Sequence, residues 1–318
     1  MRKIIALFLV LIGMSCENEK KLEVDTSEIK VVFKIERFDK DFYKSNKSLT
    51  ELKTSYPFLF PESIEDSVWV NKRKNIDELE LFDEVQNVYE DIGEVHKKIK
   101  KLFKHVKYYN RRFNVPRVIS ILSNIDYQSR VVYRDNLLLI SLDVYLGSQH
   151  KFYSDYPSYI KQNNTNEYMI VDIASKIIDQ QLVLKRNRAF VHKMIYQGKK
   201  MYLKDVYLTM TPSYLKIGYT EEKFEWALEN EEQIWQYFIE KDLLFSTDKN
   251  LDRRFLDIAP FSKFYMEHDN LSPGRIGEFI GWQIVRSFMR NNDVSLQELI
   301  RMKEEEIFEK SKYKPRRQ

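Results

Sequence analysis

Cysteine occurs once in this chain, at Cys16. The rest of the protein therefore forms no disulfide of its own, offers no thiolate to zinc and has no cysteine nucleophile. Glycine is scarce as well, eight residues in 318, against roughly 7% in average proteins. So few tight-turn residues argue against a β-rich fold and for helix. No apolar run approaches the roughly 20 residues that cross a bilayer. Charge of neither sign prevails: 52 Lys and Arg face 48 Asp and Glu, a balance of +4. That gives no clustered basic footprint for nucleic acid. No G-x-S-x-G, Walker or dinucleotide-binding word is present.

What is present begins at the N-terminus. Arg2 and Lys3 precede an almost wholly apolar stretch, Ile4–Met14, then Ser15 and Cys16. A short basic region, an apolar core and a small residue before the cut make a secretory signal, too short to span a bilayer. Cysteine at the junction lets the thiol receive a diacylglyceryl group, and Gly13 stands where a lipobox usually has Leu. The expectation is a signal peptide over 1–15, lipidation of Cys16, a polar tether over 16–28 and one globular domain over 29–315. Cleavage before Cys16 removes Arg2 and Lys3, leaving 50 basic residues against 48 acidic ones, or +2. The tether is mixed in charge, with Glu17, Glu19, Lys20 and Lys21. Twenty Tyr, twenty Phe and 43% hydrophobic residues supply an aromatic-rich core for the body.

Periodicity sketches that body. Ile29, Val31, Phe33 and Ile35 alternate with Lys30, Val32, Lys34 and Glu36, the pattern of a half-buried strand. Phe42 to Leu52 reads as a short helix, stopped by Pro57 and Pro61, whose neighbouring aromatics plug into the core. Residues 76–106 have helical spacing throughout. Their other face is acidic early, at Asp77 to Glu84, and basic late, at Lys97, Lys98, Lys100, Lys101 and Lys104. This order suits the helix dipole. The late lysines read first as a solvated face, with a polyanion or membrane contact as the other reading. Val115–Leu122, Arg130–Tyr133 and Leu137–Leu142 look like strands separated by turns at 124–126 and 134–136. Helices are expected over 167–184, 189–203, 221–240, 274–290 and 295–309. The sum is α+β: a small N-terminal sheet with a mainly helical C-terminal body.

Several long words then stand in order along the chain. Leu139–Gly147 reads L-I-S-L-D-V-Y-L-G, and Met194–Asp205 reads M-I-Y-Q-G-K-K-M-Y-L-K-D. Residues 230–248 contain N-E-E-Q-I-W and F-I-E-K-D-L-L-F-S-T-D. Asn270–Ser287 reads N-L-S-P-G-R-I-G-E-F-I-G-W-Q-I-V-R-S, and the end carries V-S-L-Q-E-L and K-S-K-Y-K-P. Together these strongly resemble the gliding-motility lipoprotein GldB family, from Cys16 to Pro315. The resemblance implies a non-enzymatic envelope lipoprotein of the gliding apparatus and its coupled secretion system. It would act by contact with other machinery proteins, without cofactor or nucleic acid, held to a membrane by its N-terminal lipid and facing the periplasm, with the cell surface as the other reading.

A second, weaker resemblance is to zincin-type metallopeptidases, and implies a degenerate zincin-like fold. It rests on a strand, an apolar helix, a later helix word ending in Gly, and P-G-R-x-G-x-x-x-G. Such enzymes carry H-E-x-x-H on the first helix, where both His meet one zinc and the Glu activates water. Here that helix reads I-V-D-I-A-S at Ile170–Ser175. The five histidines, His96, His105, His150, His192 and His268, show no paired spacing, and Gln197 before Gly198 replaces a ligand Glu. The resemblance leaves a vestigial cleft around Asp172, Gln197, Gly198, Arg275 and Trp282, with no catalytic or metal residue. The rival reading is a divergent metallohydrolase using His150 with distant Asp or Glu. Asp172 is a relic, a partner for a buried Arg, or a solvent-facing acid. Arg275 near a helix start opposes the dipole and calls for a specific carboxylate. Gly274, Gly277 and Gly281 read as one face of close helix packing, and Trp226, Trp235 and Trp282 as core.

Overall fold

A computed structural model describes residues 24–183 and 188–316. The signal peptide expected over 1–15, Cys16 and most of the expected tether lie outside the described residues. Four strands form one mixed sheet in the order β1-β2-β4-β3. Strand β1 (Ile35–Arg37) runs parallel to β2 (Arg117–Ile121), and β2 runs parallel to β4 (Leu137–Ser141). Strand β3 (Val131–Arg134) closes antiparallel on β4. The β3–β4 turn is made by Asp135 and Asn136, both at positive φ, the backbone that a two-residue hairpin turn demands and that Asn and Asp tolerate.

The strand expected from Ile29 is only three residues long, because residues 26–33 lie against a helix instead of a strand. That helix is α5 (Gly93–Tyr109). Its Lys104 Nζ donates to the carbonyls of Thr26 and Ser27, and Phe33 stacks on His96 at 4.4 Å. Alternation records that one side of the segment is covered, not by what.

In chain order the preceding helices are α1 (Phe38–Tyr43), α2 (Leu49–Ser55), α3 (Asp66–Lys74) and α4 (Ile76–Tyr89). The helix expected over 42–52 is thus two, the second started by a Ser48–Glu51 capping box. The long helix expected over 76–106 is also two. It breaks at 90–92, where the Asp91 side chain accepts from Gly93 N at 2.7 Å, a local turn that competes with helix. Tyr56 and Phe60 are buried with Phe42 and Leu52 under β2, so the Pro57–Pro61 aromatics do plug a satellite core.

The helical body follows: α6 (Ser158–Lys161), α7 (Asn166–Gln181), α8 (Phe190–Tyr207), α9 (Ser213–Ile217), α10 (Glu221–Glu229), α11 (Glu231–Glu240), α12 (Asn250–Phe255), α13 (Ile276–Asn291), α14 (Leu296–Arg301) and α15 (Glu304–Lys310). Two expected helices are split here, at Asn230 and at Met302–Lys303, since apolar spacing carries through a one- or two-residue break. The body centres on α13, which is buried nearly all round and crosses α8. A Cβ on Gly198 would sit 2.1 Å from the Gly281 carbonyl oxygen, and one on Gly281 would sit 1.9 Å from that of Met194. The two backbones therefore touch, which only glycine allows. Gly277 faces Phe255 and Phe190 more loosely. Gly274 does not share that face. The helix begins at Ile276, after Arg275 in the left-handed conformation (φ 58°), and Gly274 packs on the Ala259 carbonyl in the preceding loop.

Candidate cleft

A cavity of about 240 Å³ opens between the start of β3, helix α7, the Gly218–Thr220 turn after α9 and the loops at 258–260 and 273–275. Its charged lining is Arg130, Asp172, Lys176, Lys223 and Arg275, four cations against one acid. Tyr127, Tyr159, Tyr168 and Tyr219 add aromatic surface.

Asp172 lies on α7 between Val171 and Ile173, both fully buried. Its Oδ2 accepts a 2.8 Å bond from the Tyr145 hydroxyl and lies 3.7 Å from Arg130. Desolvation raises its pKa, opposed by the Arg130 charge and the Tyr145 bond. Arg130 is fixed in turn by donation to the carbonyls of Asn163 (2.9 Å) and Ile160 (3.1 Å) and to the Asn164 side chain. Of the three sequence readings of Asp172, the partner of a buried Arg matches this placement.

Arg275 enters from the opposite wall. It forms an ion pair with Glu278 at 3.2 Å and donates to the Ile217 carbonyl, so the carboxylate its position called for is one turn along its own helix. Between the walls sits Gly218 at φ 74°. A Cβ there would lie 2.7 Å from the Tyr168 hydroxyl, 2.9 Å from Asn163 Nδ2 and 3.1 Å from an Arg275 guanidinium nitrogen. Three donor groups thus converge over a residue that has no side chain. Lys223 ties the 270–272 carbonyls at 2.7–3.2 Å. Lys204 lies buried beneath, its ammonium donating to the Lys216 carbonyl at 3.0 Å, and burial lowers its pKa against the pull of Glu278.

The cleft thus holds two of the residues singled out from sequence, Asp172 and Arg275. Gly198 sits in the α8–α13 crossing, half-buried Gln197 beside it lies outside the cleft lining, and Trp282 belongs to another cluster. There, Asp205 at the end of α8 accepts from Trp282 Nε1 (2.8 Å), twice from Arg286 (2.8 and 2.9 Å) and from Lys216 (3.0 Å). Asp205 escaped sequence reasoning although it ends the M-I-Y-Q-G-K-K-M-Y-L-K-D word. Arg130, Tyr145, Tyr168 and Gly218 escaped it too, because nothing in their spacing links them to α7 or α13.

His150 faces Glu84 at 3.4 Å, while Lys151 spans Glu80 and Glu84 at 2.7 and 2.8 Å. The carboxylates nearest His150 are therefore engaged by a lysine. His96 and His105 bond the carbonyls of Phe33 and Lys101. Among the described residues no three His, Cys, Asp or Glu side chains are grouped to hold a metal ion. No described helix is long and apolar enough to cross a membrane.

No curated protein and no solved structure matches the chain, and the resemblance to zincins is not shown by any comparison. The family profile described as gliding motility protein GldB, a lipoprotein family by its label, matches residues 19–315, and the chain belongs to that family.

Proposed function

We propose that this gliding-motility protein is a lipid-anchored binding component of the cell envelope that works without catalysis. In this reading the lipid on Cys16 holds the body to a membrane on the periplasmic side. The cleft takes an anionic group, a carboxylate, from another protein of the gliding and secretion machinery. The observation that supports it is the charge pattern of the cleft. Its one lining carboxylate already serves Tyr145 and Arg130, while Arg275 commits two of its five N–H donors, to Glu278 and Ile217. A part-buried guanidinium with spare donors is suited to a bidentate carboxylate.

Gliding assays on chromosomal variants separate binding from catalysis. Asp172→Asn keeps the shape and the Tyr145 contact, so cells glide. Lys176→Glu puts an acid at the rim, so cells stop gliding at unchanged protein level. Loss of gliding in Asp172→Asn with a normal melting temperature, or one tightly held zinc per chain by elemental analysis, overturns the reading. Cys16→Ala releases the protein from membranes under a high-salt wash, because an acyl anchor holds by apolar burial and not by charge. Protease shaving of intact cells leaves the body whole if it faces the periplasm.

A further inference from the structure

The basic half of α5 lies beside the place where the chain leaves for its lipid. Lys104 Nζ holds the Thr26 and Ser27 carbonyls, and Lys107 Nζ holds that of Lys30. Residues 24–34 and 93–112 together carry ten Lys and Arg against three acids, Asp25, Glu28 and Glu94, a balance of +7. The whole chain sums to +4, so everything else sums to −3. Positions 97, 101, 104 and 108 fall on one helix face. Lys97, Lys100 and Lys101 are exposed, as are Val32 and Tyr108 within the same patch. Tyrosine set among lysines suits a lipid headgroup layer.

Val24 stands eight positions after Cys16. That separation is at most about 28 Å. Charge acts within a Debye length of about 8–10 Å, and the surface beside Val24 is the part of the described body tied nearest to Cys16.

We propose that the Lys97–Lys107 face of α5, with Val32 and Tyr108, is laid on an anionic phospholipid surface and fixes the orientation of the body beneath its anchor. This deepens the lipid-anchor reading. The acyl chains supply the hold, and the lysines choose which side of the body faces the membrane.

The test is flotation of the mature chain, residues 16–318 with Cys16→Ala, so that no lipid contributes. Vesicles of phosphatidylcholine are compared with vesicles holding about one third phosphatidylglycerol. The chain binds only the anionic vesicles, and salt releases it. Each lysine near the surface is worth about fivefold, so Lys97→Gln, Lys100→Gln and Lys101→Gln together weaken binding on the order of a hundredfold. Removing as much charge elsewhere, with Lys47→Gln, Lys53→Gln and Lys151→Gln, leaves it nearly unchanged. Equal binding to neutral vesicles, no binding to anionic ones, equal loss in both triple variants, or capture by soluble heparin without vesicle binding overturns the proposal. The anchor reading fails on its own separate result, release of wild-type protein from cell membranes by salt.

Discussion

Two aspartates, one helix apart, behave differently, Asp205 buried and Asp172 part-buried. Asp205 on α8 is saturated: two oxygens accept four bonds, from Lys216, Trp282 and both arms of Arg286. Arg286 also lies 3.8 Å above the Trp282 ring, sealing the cluster. Asp172 on α7 has one hydrogen bond and a loose cation, and opens on a cavity whose charged lining is mostly positive. A carboxylate whose bonds are all made belongs to the framework, since leaving out any partner costs a buried charge. A carboxylate with capacity to spare, next to unspent donors, is what the proposed binding surface requires. The glycine crossing of α8 and α13 belongs with Asp205. Both fix one geometry and leave no room for a ligand.

The largest expected effect is at the saturated acid. Asp205→Ala strands Lys216 and Arg286, and a buried pair broken from one side costs about 3–5 kcal/mol. The melting temperature of the mature chain should collapse, and a loss below about 1 kcal/mol would erase the distinction between the two aspartates. Next comes the crossing. Gly281→Leu forces a side chain where a Cβ already lies 1.9 Å from a carbonyl oxygen, at a cost of about 1–3 kcal/mol or more. An unchanged melting temperature would mean that the α8–α13 contact is not structural. If the variant folds normally but cells fail to glide, the glycine serves a ligand instead.

Asp172→Asn sits at the other end, with a change in stability within about 1 kcal/mol at neutral pH. Its sharper signature is in pH. The folded pKa of Asp172 is raised above the ordinary 3.8, so the folded state binds its proton more tightly than the unfolded chain. That contribution is fully present below the ordinary value and is lost as pH rises through the raised one. Wild type should therefore gain on Asp172→Asn as the pH is lowered through that window, measured by urea unfolding at a series of pH values. A constant difference would mean that Asp172 is not desolvated. The smallest effect is expected from Lys176→Glu, a rim residue, which should melt like wild type while gliding fails.

Much of this was legible along the chain. The hairpin turn at Asp135–Asn136, the all-round burial of α13 and the small sheet ahead of a helical body follow from local chemistry and periodicity. Helix breaks at 90–92, at Asn230 and at Met302 were not legible, because apolar spacing resumes in phase after each. The strand expected from Ile29 failed for a related reason: burial of one face does not specify a ladder. Of the five residues assigned to a common cleft, Asp172 and Arg275 share one, while Gln197, Gly198 and Trp282 are set apart by the α8–α13 crossing.

The sequence by itself determined the family to which the chain belongs, the α+β class and the glycines that let two helices touch. These are local patterns, and each acts through its neighbours in the chain or through whole words. Only the tertiary structure decided that Arg130, from the edge of the sheet, would meet Asp172 and that Arg275 would face them across Gly218. It also decided that Asp205 would gather Lys216, Trp282 and Arg286, and that Lys104 and Lys107 of α5 would hold the carbonyls of Thr26, Ser27 and Lys30. Those groups come from distant stretches of chain. Their approach is set by how helices and sheet bury their apolar faces, which no spacing in a linear pattern records.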